Sequence, residues 1–171
     1  MRSGSSGGNY PQPPSTCFRV GEKPVGIKMY SKILVATDGS ENSEKAAKHA
    51  VSIAEAFKSN IVAIYVVNEV VVSSIATKLD EKPDKLEKKL EDEGMKYLDH
   101  VEELAKNKKI KVEKIVRRGT PASEIVAEAK RLGVDLIVMG THGEGGSKPL
   151  MGSVAERVIH WAHCPVLVVS P

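Results

Sequence analysis

Two polar stretches, Asp38-Gly39-Ser40 and the segment from Gly140 to Gly152-Ser153, each follow an apolar run and lead into a helical pattern. The second carries glycine at 140, 143, 145, 146 and 152. Backbone N–H groups near Gly140 and Gly143, together with those opening a helix at Gly152, Ser153 and Val154, can cradle an anion. Glycine suits such a place because a Cβ would block close approach to the backbone. The same glycines would also serve simply to turn the chain. Asp38 either offers its carboxylate to that neighbourhood or closes an Asx-turn ahead of the helix that Ser40 caps.

Simpler phosphate motifs fail. A Walker A loop, G-x-x-x-x-G-K-S/T, needs a lysine where Gly146 follows Gly140 to Gly145, and a dinucleotide loop, G-x-G-x-x-G, meets Lys148 where its last glycine belongs. No convergent catalytic set is assembled either. Thr37, Ser40 and Ser153 have only His142 as a base, and His142 reads as a solvated loop residue, so a binding module is expected rather than an enzyme. His160, His163 and Cys164 crowd one helix end with no fourth ligand; the two histidines read as cations at the negative end of the helix dipole, and no metal site is expected.

The elements that must position these loops follow a βαβ rhythm. Lys32 to Thr37 is a buried strand, and Ala46, Ala47, Ala50, Val51, Ala54 and Phe57 recur at helical spacing after Ser40. Ile61 to Val67 is a second strand, apolar throughout as expected where both faces are covered. An irregular stretch from Asn68 to Lys82 follows, then a charged helix from Pro83 to Lys106. Ile110 to Val116 is a third strand whose charges place it at a sheet edge. Thr120-Pro121 opens a helix that stops at Gly133. Asp135 to Met139 is the fourth strand, Gly152-Ser153 opens the last helix, and Pro165 to Val169 is the fifth strand. This predicts five strands and four helices.

Five motifs in order carry a resemblance: Lys32-Ile-Leu-Val-Ala-Thr-Asp-Gly-Ser, Gly119-Thr-Pro, Asp135-Leu-Ile-Val-Met-Gly-Thr-His-Gly, Gly152-Ser-Val-Ala-Glu-Arg-Val and Cys164-Pro-Val-Leu-Val-Val. Together, over Met29 to Pro171, they resemble the universal stress protein family. The resemblance implies an α/β fold of the adenine nucleotide alpha-hydrolase type, an open five-stranded parallel sheet in the order 3-2-1-4-5 with helices on both faces. It implies a homodimer paired through the C-terminal strand and, in one branch, ATP bound between strands 1 and 4. That branch carries Gly-x2-Gly-x9-Gly-Ser/Thr. Here Gly140, Gly143, Gly152 and Ser153 fit, but eight residues separate Gly143 from Gly152.

Carried over residue by residue, the resemblance puts Asp38 at the ribose with Ala36 beside it, Val66 backbone groups at the adenine edge and Met139 against the base. Gly140, Gly143, Ser153 and Val154 meet the phosphates, and Gly152 permits their approach. Mg²⁺ or Mn²⁺ can accompany the phosphates, with no carboxylate cage in view. The implied function is a nucleotide-responsive homodimeric binding module with an unidentified protein partner. The alternative is a family member that binds no nucleotide and acts as a dimeric scaffold. A phosphotransfer receiver, which shares the strand order, wants clustered acids after the first strand, where only Asp38 stands, and a lysine after the fifth, where Ser170-Pro171 follows.

Composition agrees with one globular domain: 171 residues, 41% hydrophobic and 27% charged, with two cysteines in unlike surroundings. The cysteine usage predicts a reduced, cytoplasmic setting. Residues 1–28 hold the whole formal net charge of +3, and their Ser, Gly and Pro predict a flexible leader that resembles an expression linker, with the domain at 29–171. The remaining chain is neutral and aromatics are 4%, which argues against a nucleic-acid partner. The longest apolar run, Ile61 to Val67, is far short of the ~20 residues of a membrane span.

Overall fold

The computed structural model describes residues 29–142 and 151–170. The predicted leader, Gly143 and Pro171 lie outside the described residues. The order is β1 (Lys32–Ala36), α1 (Glu41–Phe57), β2 (Asn60–Asn68), α2 (Glu69–Leu79), α3 (Pro83–Ala105), β3 (Val112–Gly119), α4 (Pro121–Leu132), β4 (Leu136–Gly140), α5 (Ser153–Trp161) and β5 (Val166–Val169). The five strands form one parallel sheet in the order β3-β2-β1-β4-β5.

Side chains alternate across the sheet, so successive residues of one strand feed two cores. Ile33, Val35, Ile61, Ala63, Leu136 and Val138 face α1 and α3, where they meet Ala46, Ala50, Ala54, Leu98 and Val101. Leu34, Ala36, Val62, Ile64, Ile137 and Met139 face the other way, against Ala122, Ile125 and Ala129 of α4 and Ala155 and Val158 of α5. Alanines on α1 let that helix lie close to the sheet. Leu98, fully buried, contributes about 1.5–3 kcal/mol by its burial, and Leu98→Ala would cost about 2–5 kcal/mol once the cavity is included.

The charged third strand is indeed an edge. Its charges reach neighbouring helices: Lys114 Nζ meets Asp99 and Glu102 of α3 at 2.8 and 2.6 Å, and Arg118 meets Glu87 and Glu91 at 2.7 and 2.5 Å. The stretch expected to be irregular departs from the prediction, because Glu69–Leu79 is a helix, making five α-helices among the described residues. The β-branched run Val70-Val71-Val72 lowers helix propensity. Asn68 offsets this by accepting the Val70 and Val71 N–H groups, and Val72 and Ala76, four apart, bury against Val67 and Leu86. Among the described residues no helix is long and apolar enough to cross a membrane.

Candidate functional site

The chain leaves β1 toward α1 on one face of the sheet and leaves β4 toward α5 on the other. Adjacent strands whose connections diverge in this way open a crevice at their carboxyl ends. A cavity of about 440 Å³ lies there. Ala36, Asp38, Val66, Met139, Gly140, Gly152, Ser153 and Val154 all line it. The ninth predicted residue, Gly143, lies outside the described residues. The cavity is also lined by Thr37, Ser43, Ile64, Pro121, Ile125, Thr141, His142 and Ala155. Of these, Pro121 and Ile125 reach it from α4, and Gly119-Thr-Pro was their one sequence signal.

The loop after β1 is built around Asp38. Its Oδ1 accepts the Ser40 N–H at 3.1 Å and the Ser40 hydroxyl at 2.6 Å, so the Asx-turn is formed at a residue that also lines the cavity. Ser40 Oγ accepts the Ser43 N–H at 3.3 Å and caps α1. The Thr37 and Ser43 hydroxyls, both buried, lie 3.1 Å apart and tie the end of β1 to the first turn of α1. Ser43 Oγ also donates to the Ser40 carbonyl at 2.9 Å.

Val66 owes its position to the uneven lengths of β1 and β2. The Thr37 N–H donates to the Ile64 carbonyl at 3.0 Å, so Ile64 turns its backbone groups toward β1. Backbone groups alternate sides along a strand, so Val66 directs its N–H and C=O the same way, past the point where β1 has ended at Ala36. Met139 and Ile64, both almost wholly buried, supply apolar wall.

On the opposite side, the Gly152 N–H donates to the Thr141 carbonyl at 2.8 Å, and the Thr141 N–H donates to the Val169 carbonyl at 2.9 Å. Gly152 is the N-cap of α5 with no side-chain cap bond, so the N–H groups of Ser153 and Val154 stand in the first turn, where a helix leaves its donors without intrahelical partners. The expectation that Gly152 itself offers a free N–H is corrected, since Thr141 holds it.

The reason for glycine at 140 also differs from the one predicted. A Cβ there would stand 2.9 Å from the Asn42 backbone carbon and Cβ and 3.1 Å from Ser43 N, in the first turn of α1. The missing side chain therefore makes room for α1. At Gly152 a Cβ would stand 2.9 Å from the Thr141 carbonyl oxygen.

The family model described as the universal stress protein family matches residues 29–170. The chain belongs to the universal stress protein family. The universal stress protein MJ0531 of Methanocaldococcus jannaschii is 43% identical over 146 residues, covering 85% of each chain. The solved structure of MJ0577, a universal stress protein of the same organism, superposes with a TM-score of 0.71 at 35% identity over 84% of this chain and 97% of that one. Two more distant structures share the fold: a universal stress protein in complex with cAMP, at 24% identity and TM-score 0.58 over 82% of this chain and 97% of that one, and one from Archaeoglobus fulgidus in complex with dAMP, at 21% and 0.58 over 82% and 98%.

In this universal stress protein His160, His163 and Cys164 are not among the residues that line the cavity. His160 Nδ1 lies 2.8 Å from the Glu156 carbonyl, one turn back along α5. Cys164 is half-buried against the α4/α5 core, and that burial, with the nearby Asp135 carboxylate, pushes its thiol up, the opposite of an activated nucleophile. Among the described residues no group of three or more His, Cys, Asp or Glu could hold a metal ion.

Proposed function

We propose that this universal stress protein binds ATP in the crevice between β1 and β4 and acts as a homodimeric, nucleotide-responsive regulatory module. The observation that carries the reading is the convergence, on one cavity of about 440 Å³, of three unlike surfaces. An apolar wall of Ile64 and Met139 adjoins the backbone edge at Val66. The Asp38 carboxylate stands at the mouth of α1, and the Ser153 and Val154 N–H groups open α5.

Adenine lies against Met139, with its Watson–Crick edge on the Val66 N–H and C=O. Those two groups pair with an amino donor and a ring acceptor, and so favour adenine over guanine. Asp38 accepts ribose hydroxyls, with Ala36 providing a surface without bulk. The phosphates reach the N-terminus of α5, where Ser153 and Val154 donate and the Ser153 hydroxyl adds another donor. Gly140 and Gly143 complete the cradle through backbone. Asp38 is the one carboxylate among the described lining residues, so Mg²⁺ or Mn²⁺ would be held by phosphates and water, as Mg²⁺ commonly is. The cAMP and dAMP complexes of distant members agree in ligand class; the preference for ATP rests on the Val66 edge and the N-terminus of α5. β5, paired with β4 and flanked by no second strand among the described residues, is the proposed dimer edge, and the cytoplasm the proposed setting.

One observation favours the nucleotide-free scaffold as a second reading: the Gly143–Gly152 interval is one residue shorter than in the ATP-binding pattern. Native mass spectrometry of the purified protein, with melting curves at rising ATP and Mg²⁺, decides between them. Copurified adenine nucleotide, or a rise of several degrees at saturating ATP, is expected. Ligand at 100 times its Kd contributes about 2.7 kcal/mol. No shift at millimolar ATP and no bound nucleotide leaves the scaffold.

A further inference from the structure

Gly39, one residue beyond Asp38, turns at φ +83°, and a Cβ built on it would fall on the ring of Tyr97. Tyr97 belongs to α3, an element that contributes nothing to the cavity lining. The ring is itself supported. Its hydroxyl donates to Glu93 Oε1 at 3.1 Å, one turn back, and the Tyr65 ring lies 5.9 Å away, centroid to centroid, at an interplanar angle of 51°. Tyr65 in turn occupies the space that a Cβ at Gly94 would need. Two glycines and two tyrosines thus interlock α3 with the ends of β1 and β2, beside Asp38 and Val66.

We infer that Tyr97 is a positioning residue: its ring confines Gly39 and so holds the Asp38 carboxylate where ribose hydroxyls meet it. The inference rests on the ATP reading of the crevice. Glycine is the residue with the widest backbone freedom, and the bonds that tie this loop to its neighbours, Gly39 N–H to Thr37 Oγ1 at 3.3 Å and Asp38 N–H to Ser43 Oγ at 3.4 Å, are long ones. The bonds from Asp38 Oδ1 to Ser40 are local and travel with the loop. The Tyr97 ring instead reaches the loop from a separate, rigid helix, filling the place a side chain would take. Holding a binding group in place before the ligand arrives removes an ordering cost from association.

The test compares ATP with 2′,3′-dideoxy-ATP, which lacks the hydroxyls Asp38 would bind, by calorimetry on wild type, Tyr97→Phe and Tyr97→Ala. Wild type should prefer ATP, and Tyr97→Phe, which keeps the ring, should retain affinity within about twofold. Tyr97→Ala should weaken ATP about tenfold, leave the dideoxy analogue unchanged, and speed amide exchange at Ser40. If Tyr97→Ala does not fold, Tyr97→Leu, which preserves apolar volume, is read in the same way. A variant without the ring that keeps the full preference for ATP overturns the inference while leaving the ATP reading standing. Wild type that binds both nucleotides alike overturns the ribose role of Asp38, and wild type that binds neither overturns the nucleotide reading itself.

Discussion

The Gly152 N–H donates to the Thr141 carbonyl at 2.8 Å, which joins the start of α5 to the residue that follows β4. This bond fixes the N-terminus of α5 relative to the sheet without reference to the residues between them. The missing residue in the Gly143–Gly152 interval therefore need not displace the Ser153 and Val154 N–H groups from the cavity. Inserting one glycine after Gly146 should leave ATP affinity, measured by calorimetry, within about twofold. A large gain would show that the short interval impairs the site.

Gly152→Ala puts a Cβ 2.9 Å from the Thr141 carbonyl oxygen, so that bond must lengthen and α5 must move. Overpacking of this kind costs about 1–3 kcal/mol. Melting should report that loss, and ATP affinity should fall with it because the helix N-terminus has shifted. Gly140→Ala, by contrast, presses on the Asn42 backbone, and its main effect should be on stability.

Asp38→Asn separates the turn from the charge. The amide oxygen can still accept the Ser40 N–H, so melting without ligand should change by less than about 0.5 kcal/mol. ATP affinity should nevertheless fall, and that of a nucleotide lacking the ribose hydroxyls should not. Asp38→Ala removes both functions and should lower stability as well as affinity.

Glu128 supplies a pH-dependent contribution to stability. It is buried, with Oε2 accepting from Arg131 at 2.6 Å and Oε1 from Arg117 at 2.8 Å. The Arg131 hydrogen bond foremost, then that from Arg117, outweighs the opposing effect of burial and holds its carboxyl below the ordinary value of 4.5. A lowered folded-state pKa means that this stabilisation is complete above the unfolded value and is lost as the pH falls below 4.5 through the folded value. Glu128→Gln should cost about 1–3 kcal/mol at neutral pH, the scale for disrupting hydrogen bonds in a buried ionic network, and should flatten the fall of the melting temperature as the pH drops below 4.5. An unchanged acid slope would remove Glu128 from the account.

The outer edge of β5, which no described strand covers, should pair with its copy. Light scattering after gel filtration should report twice the chain mass, and Val168→Lys, which places a charge in that strand, should shift it toward monomer. A monomer at micromolar concentration for the parent protein would exclude this interface.

The sequence alone determined the strands and the principal helix starts. Ile-Leu-Val-Ala after Lys32 and Leu-Ile-Val-Met after Asp135 are apolar runs that only a doubly covered sheet buries, and Ser40 and Pro121 mark helix starts by local chemistry. Eight of the nine predicted site residues line one cavity because strand ends and the loops behind them are legible from motifs. Tertiary structure decided the rest. Its reach is long in sequence: α2 is a helix because Val72 and Ala76 find Leu86 and Val67, against the preference of a valine run. Pro121 and Ile125 enter the cavity because α4 packs beneath Ile64 and Met139. Gly140 is small to admit Asn42, and Gly39 is held by Tyr97. Such contacts depend on how helices settle on the sheet, and no local spacing in the chain encodes which side chain will fill which gap.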